Sequence, residues 1–270
     1  MSKFFIRTTV GRLNLCKSAC KTLFGYTNNV FKSAMINHYI SENPMQYLSP
    51  KFFYQYCTEK QKSKEKTLVL DKDMVLLCEQ LQEDYKNQPE YIPSYAVELA
   101  ILTGMRVGEI AALTWDSISK DGILINKSEK YNCKTNTYFI DATKNKKERL
   151  FPMCNEISNL LDKVKKAELQ NGYICEWVFA NEDGRVHAPV ISSCIKNKCR
   201  QLGIEERGIH ALRKTFNSKI RNIGVAPTVA ATLLGHSVEV NQKYYTFDVT
   251  SNDEKKEIVS LINENLPLAK

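Results

Sequence analysis

Apolar residues recur every three or four positions along most of this chain, the spacing that places them on one face of a helix. One such run precedes Gly104, and its apolar face is formed by Ile92, Tyr95, Ala96, Leu99 and Ala100. After Asn155 the same period returns in EISNLLDKVKKAEL, VISSCIKNKCRQLG, HALRKTFNSKIRNIG and APTVAATLLG. The pattern predicts that most of the chain is helical.

One region departs from the helical period. Three segments between residues 122 and 153 are rich in β-branched and aromatic residues and tend to alternate between apolar and polar positions: GILINK, TYFIDAT and KERLFPM. They predict a small antiparallel sheet, with a turn in ATKNKKERLFP between two of its strands. The expected fold class is therefore mainly α with a small antiparallel β-sheet (α+β).

A charged segment at residues 59–67, EKQKSKEKT, separates two parts of the chain. It lacks large apolar residues and is typical of a linker, so we place a domain boundary there, between residues 1–62 and 63–270. The first part is helical and basic, with a break at Asn43–Pro44. The second opens with Asp71 as the expected helix cap and closes with an amphipathic C-terminal helix. The apolar face of that last helix is formed by Ile258, Leu261, Ile262 and Leu266.

Composition narrows the class of protein. The chain has 270 residues, 43% of them hydrophobic, and 38 Lys and Arg against 30 Asp and Glu, which gives a net charge of +8. This excess favours a polyanionic partner such as nucleic acid, although many basic proteins bind none. No apolar run is long enough to predict a membrane span. The nine cysteines and four histidines show neither CxxC nor metal-ligand spacing, so we expect reduced thiols, no metal and no other cofactor. Without a P-loop motif, ATP is not implied either.

The first candidate for chemistry is Arg106, in TGMRVGE. It follows a glycine turn and is expected in the first turn of a helix that continues through EIAALTWDSI. A cation there opposes the helix dipole, and a bound phosphate would justify it. The alternative is a solvated surface arginine or a salt bridge to Glu109.

Two histidines and a second arginine also lack an evident structural role. His210 and Arg213, in HALRKTF, lie three positions apart and so share one face of a helix near its start. His236, in LLGHS, is expected to leave a helix and enter a turn. Each of these groups could grip a phosphate. The alternatives are an exposed polar face for the first two and a helix cap for His236.

Lysines and tyrosines complete the set of candidates. Lys144, Lys146 and Lys147 lie on the turn between the predicted strands, where a lysine can reach a DNA groove or donate a proton, or simply add solubility. Tyr244 and Tyr245 stand side by side in GHSVEVNQKYYTF. A tyrosine pair in a helical region more often packs than reacts.

Taken together, these side chains suit phosphodiester transfer without a metal. Arginines neutralise the charge that develops on the phosphorane. A tyrosine can attack phosphorus and form a covalent ester, but with an unperturbed pKa of about 10 it needs a base or cationic surroundings. A lysine or histidine can protonate the departing 5′ oxygen.

Three motifs in this order resemble the boxes of the tyrosine recombinase (phage integrase) family, over residues 70–250: TGMRVGEIAALTW, HALRKTF and LLGHSVEVNQKYYTF. The lysine-bearing turn falls between the first and the second, as in that family. The chain looks most like conjugative transposon and phage integrases. The resemblance implies a tyrosine recombinase catalytic domain that needs no cofactor, metal or ATP.

The same resemblance assigns the catalytic roles. Arg106 and Arg213 would bind the phosphate, His210 and His236 would activate it, and Lys144 would be the hairpin lysine, with Lys146 or Lys147 as alternatives. The family's nucleophile usually follows the Gly-His histidine by nine residues. That spacing implies Tyr245 as the nucleophile and Tyr244 as a packing neighbour.

The function implied is site-specific recombination through a 3′-phosphotyrosine, which integrates or excises a mobile element. The implied assembly is a homo-tetramer on double-stranded attachment sites in the bacterial cytoplasm and nucleoid, with accessory DNA-bending or excision factors and no membrane. Residues 1–62 resemble the end of the family's core-binding clamp and are expected to form an incomplete one. The alternatives are an inactive DNA-binding regulator, a host chromosome-resolving recombinase and a type IB topoisomerase. By the same resemblance the C-terminal helix docks on a neighbouring protomer, or else packs on its own domain.

Overall fold

The computed structural model describes residues 2–59, 67–245, 247, 255–257 and 259–260. The chain divides into two compact units, residues 1–63 and 64–270. Most of the predicted linker falls on residues 60–66, outside the described part, and the assignment of the first unit as a clamp stays a prediction.

The first unit is helical, as its periodicity predicts. Helix α1 spans Ser2–Arg12, α2 spans Lys17–Ile36, and a 3₁₀ helix spans Pro50–Tyr56. Its small core consists of Ile6, Val10, Cys20, Met45 and Phe53. Thr58 donates its backbone N–H to the carbonyl of Leu15 at 3.0 Å, which ties the end of the unit to the turn between the two helices.

The second unit is built around a central helix. Its helices are α3 (Asp71–Asn87), α4 (Pro93–Thr103), α5 (Val107–Ile110), α6 (Asn155–Asn171), α7 (Ala188–Gln201), α8 (Ile209–Asn222), α9 (Pro227–Leu234) and α10 (Val238–Tyr245). Helix α4 contacts α3, α6, α7 and α8. It is therefore buried beyond the single predicted face, and Val97 lies in the core as fully as Leu99.

In the part of the chain that the structure describes, the strands form three two-stranded antiparallel sheets, where the sequence predicts one sheet. They are β1 (Gly122–Ile125), β2 (Lys127–Asn132), β3 (Thr137–Ala142), β4 (Arg149–Pro152), β5 (Ala180–Asn181) and β6 (Gly184–Arg185). Strand β1 pairs with β4, β2 with β3, and β5 with β6. The predicted class, mainly α with small antiparallel sheets, is confirmed. The turn that carries the lysines joins β3 to β4, and these strands belong to different sheets.

Two local predictions are wrong. The helix expected from Arg106 onward lasts only from Val107 to Ile110, because the chain then turns and Trp115 donates its backbone N–H to Glu176 at 2.9 Å. Asp71 is the first helical residue and not the cap. Its carboxylate pairs instead with the Lys219 ammonium at 2.5 Å.

Most of the predicted C-terminal helix lies outside the described residues, including Leu261, Ile262 and Leu266. Residues 255–257, 259 and 260 are helical. Among the helices that the structure describes, none combines the length and the apolar character that a membrane span requires.

Candidate active site

A sharp turn after α4 positions the first candidate arginine. Gly104 ends the helix in the left-handed conformation, with φ of 61°, and a Cβ there would lie 2.8 Å from the Phe216 ring. The turn places Arg106 at the N-cap of α5. Its guanidinium Nη1 donates to Glu109 Oε1 at 2.8 Å, so the salt bridge considered as an alternative is present. The side chain is still 23% exposed.

The C-terminal end of α9 is surrounded by arginines. Three successive carbonyl oxygens accept hydrogen bonds from three different guanidinium groups: Leu233 from Arg149 Nε at 3.0 Å, Leu234 from Arg213 Nη2, and Gly235 from Arg106 Nη2 at 3.2 Å. The last carbonyls of a helix have no partners within it and carry its negative dipole end, so they attract cations. The helix end thus gathers three arginines that are distant in sequence.

Arg213 is the most enclosed of the three, with 1% of the residue exposed. It projects from α8, and its Nη1 donates to the Gly104 carbonyl at 2.7 Å. Its Nη2 lies 2.6 Å from His236 Nε2. A guanidinium can only donate, so this imidazole nitrogen must accept. His236 is therefore neutral, with its proton on Nδ1.

Both candidate histidines have lowered pKa values. Burial, followed by the charges of Arg213 and Arg106, lowers the pKa of His236 to about 3. His210 lies in the first turn of α8 and remains exposed. Partial desolvation and the nearby Lys214 and Arg213 lower the pKa of His210 as well. Both rings are therefore neutral near pH 7.

We expect the ring resonances of His236 to stay unchanged by NMR between about pH 8 and pH 5, because its pKa lies far below the ordinary value. The pKa of His236 in the folded state lies below its ordinary value of 6.5, which applies in the unfolded state. The neutral ring therefore contributes fully to the stability of the fold above pH 6.5, and this contribution is lost as the pH falls toward 3. His236→Gln assigns the resonances. A titration midpoint near 6.5 would show that the ring is not held as an acceptor.

The lysine turn borders two adjoining pockets. Lys146 donates its backbone N–H to the Thr143 carbonyl at 2.8 Å and closes the turn. Lys144 is exposed and lines both pockets, as Arg106 does. Of the alternatives, Lys147 lines only the first pocket and Lys146 lines neither.

The two pockets bring five of the six predicted residues together. Arg106 and Lys144 are common to both, His236 lines the first, and His210 and Arg213 line the second. All these groups are cations or neutral rings, which makes the region suited to an anion such as phosphate. Among the described residues, no cluster of three or more His, Cys, Asp or Glu side chains could hold a metal ion.

Tyr244 and Tyr245 are the last two residues of α10, and their side chains lie outside the described part of the structure. The role of Tyr245 therefore stays a prediction. Helix α10 contacts α8, the helix that carries His210 and Arg213.

Two residues of the site carry no sequence signal of their own. Glu109 is buried, with 1% of the residue exposed, and accepts two bonds from Arg149, at 3.1 Å to Oε1 and 2.6 Å to Oε2. Burial alone would raise the pKa of Glu109, but the bonds and charges of Arg149 and Arg106 lower it to about 2. The sequence indicates Glu109 only as a partner of Arg106, and Arg149 only as a strand residue.

Comparison with known proteins identifies a matching family. The model of the phage integrase family matches residues 69–250. A "Tyrosine recombinase XerC-like" protein of Caldanaerobacter subterraneus subsp. tengcongensis is 28% identical in an alignment of 192 residues that covers 62% of this chain and 48% of that protein. The transposase from transposon Tn916 of Enterococcus faecalis is 27% identical in an alignment of 219 residues that covers 70% of this chain and 53% of that protein. The chain spans about half the length of these relatives.

Solved structures share the fold. The Tn1549 transposon integrase in complex with transposon right end DNA is 17% identical, with a TM-score of 0.70, over 95% of this chain and 83% of that one. A lambda integrase dimer bound to a COC′ core site is 20% identical, with a TM-score of 0.54, over 87% of this chain and 75% of that one. At these identities the likeness shows a common fold.

Proposed function

Because the chain belongs to the phage integrase family of tyrosine recombinases, we propose that it cuts and rejoins DNA strands at specific sites through a 3′-phosphotyrosine intermediate. One observation carries the proposal. Arg106 and Lys144 line both of two adjoining pockets, and His210, Arg213 and His236 complete their walls. These are the groups that phosphodiester transfer without a metal requires.

The scissile phosphate binds between the two arginines. Arg213 is held by the carbonyls of Gly104 and Leu234, so its charge is oriented before the substrate arrives. Arg106 is partly exposed and faces both pockets. Fixed charges of this kind stabilise the phosphorane without reorganisation, which is where electrostatic catalysis is strongest.

Cleavage then needs a nucleophile, a base and an acid. The Tyr245 oxygen attacks phosphorus and gives its proton to the neutral ring of His210, and the bond from phosphorus to the 5′ oxygen breaks. Lys144 supplies the proton to the leaving 5′ oxygen. A 5′ hydroxyl of the partner strand later attacks the phosphotyrosine and reverses these steps.

The biological role we propose is the integration or excision of a mobile element. It is supported by the relatives, which include the Tn916 transposase and the Tn1549 integrase with its transposon-end DNA. Two pairs of protomers would act as a homo-tetramer on double-stranded attachment sites in the bacterial cytoplasm, with accessory DNA-bending factors. Residues 1–62 would contribute part of a helical clamp on the DNA.

Covalent trapping tests this proposal. The chain is incubated with nicked, labelled duplex DNA from the ends of the element that encodes it, and the products are separated on a denaturing gel. We expect an adduct from the parent and from Tyr244→Phe, and none from Tyr245→Phe, because only the Tyr245 hydroxyl attacks phosphorus.

Two outcomes would contradict parts of it. An adduct lost only in Tyr244→Phe would keep the enzyme class and overturn the assignment of the nucleophile. DNA binding by the parent without any adduct would overturn the recombinase and favour the DNA-binding regulator. A native gel-shift of the same samples measures binding separately, since bound but unlinked DNA runs free under denaturing conditions.

A further inference from the structure

We propose that Arg149 is a positioning residue for strand cleavage, which neutralises Glu109 and supports the turn at His236 so that Arg106 keeps its charge for the phosphate. This inference rests on the proposed function. It assigns a role to an arginine outside the three motifs, in the strand that follows the lysine turn.

The first argument is the balance of charge. Glu109 contributes one negative charge behind the pocket wall, and it contacts both Arg149 and Arg106. Arg149 makes two side-chain bonds to this carboxylate, while Arg106 makes one. Two arginines and one carboxylate leave one positive charge. Without Arg149, the Arg106–Glu109 pair would be neutral, and the first pocket, which Lys144, Lys147 and Glu148 also line, would lose one positive charge and attract an anion less strongly.

The second argument is the location of the guanidinium. The Arg149 side chain is only 8% exposed. Its Nε donates to the Leu233 carbonyl at 3.0 Å, and both Nη atoms bond to Glu109. A Cβ built on Gly235 would lie 2.9 Å from its Nη1, so the glycine lets the guanidinium pack directly against the turn. Arg149 also lines the first pocket, but each of its three nitrogens already makes a bond within the protein, so we assign it a role through Glu109 and this turn.

The third argument is that Arg149 couples the lysine turn to the histidine turn. Arg149 begins β4, four residues after Asn145 in the turn. Asn145 Nδ2 donates to the Gly235 carbonyl at 3.1 Å, and Arg106 Nη2 donates to the same oxygen. Arg149 therefore fixes one side of a junction at which Lys144, Arg106 and the turn before His236 meet.

Four variants test the role: Arg149→Met, Arg149→Lys, Glu109→Gln, and the double variant Glu109→Gln/Arg149→Met. For each, the affinity for a DNA half-site and the single-turnover rate of covalent adduct formation are measured. We expect Arg149→Met to slow adduct formation roughly 10- to 100-fold with little change in affinity. The double variant should regain much of the lost rate, because Arg106 no longer faces an unneutralised carboxylate. The rate of Arg149→Lys should lie between those of the parent and Arg149→Met, since lysine keeps the positive charge but cannot make the two parallel bonds of a guanidinium to Glu109.

The matched control is Lys198→Met. Lys198 is also a buried cation, with a side chain 5% exposed and paired with Asp84, but it lines neither pocket. Its loss lowers the melting temperature without a specific effect on cleavage, so adduct formation well below that temperature should match the parent. Equal slowing by Lys198→Met and Arg149→Met would show general destabilisation and overturn the proposal.

A second readout does not depend on cleavage. Inorganic phosphate is titrated into each variant while the ring resonances of His236 are followed by NMR. Arg149→Met should bind phosphate more weakly than the parent, and the double variant should recover affinity. If the parent forms no DNA adduct, the proposed function fails, and the phosphate titration still decides the role of Arg149. If Arg149→Met binds phosphate as tightly as the parent, or cleaves DNA as fast as the parent, the role proposed for Arg149 is wrong.

Discussion

Replacing Arg213 by lysine is expected to slow covalent adduct formation by at least about 100-fold, the loss typical when one preorganised charge is removed from a transition-state site. The Arg213 guanidinium donates hydrogen bonds to the carbonyls of Gly104 and Leu234 and to the ring of His236 at the same time. A lysine is a single point of charge and cannot reproduce this fork. We expect the affinity for a DNA half-site to change much less than the rate, because the variant keeps the positive charge.

The substitution also affects stability. An acceptor left without its donor in a buried position costs about 1–3 kcal/mol, so the melting temperature of Arg213→Lys must be measured beside the rate. Arg221→Lys is the matched control. Arg221 lies on the same helix, and its Nη1 donates to the Val225 carbonyl, but it lines neither pocket. Parental cleavage by Arg213→Lys, or an equal loss in both variants, would contradict the role given to Arg213.

The local part of the site could be predicted from the sequence. Arg106 follows a glycine turn, His210 and Arg213 lie one helical turn apart, and His236 follows a helix-ending glycine. Each of these signals is contained in a few neighbouring residues. The structure places these residues at two adjoining pockets, and their catalytic roles stay a proposal.

The ion pair behind the site could not be predicted in this way. Arg149 and Glu109 are 40 residues apart, and their bond depends on β4 packing against α9. Nothing in KERLFPM distinguishes this arginine from one that faces solvent on a strand. Such pairs are determined by tertiary packing, which periodicity does not encode.

The same distinction explains the errors in the fold. The helices were predicted because an apolar face at helical spacing is a local property. The division into separate sheets was not, because strand pairing depends on the partner that each strand meets. Ala111 and Leu113 are as buried as helical core residues, so EIAALTW has the pattern of a helix although the helix ends at Ile110.

Two hydrogen bonds, one before and one after Tyr245 in the sequence, hold this part of the chain against α8. Asn241 Nδ2 donates to Asn217 Oδ1 at 2.6 Å, and both residues are completely buried. On the other side, Phe247 donates its backbone N–H to Ser218 Oγ at 3.1 Å. The acceptors Asn217 and Ser218 are neighbours on α8. The placement of the proposed nucleophile thus depends on polar contacts to the helix that carries Arg213.

Asn241→Ala is therefore expected to loosen α10 and slow adduct formation. Loss of one partner in a buried amide pair costs about 1–3 kcal/mol, which corresponds to roughly 5- to 150-fold in the population of the docked helix. Hydrogen exchange of the α10 amides should accelerate by a comparable factor. Asn217→Ala should have the same effect. The double variant Asn217→Ala/Asn241→Ala should exchange and cleave at rates close to those of either single variant, because both changes remove the same amide–amide hydrogen bond. Gln242→Ala, at an exposed position on α10, is the control. If the α10 amides of Asn241→Ala exchange hydrogen as slowly as those of the parent, contacts other than this amide pair hold the helix in place.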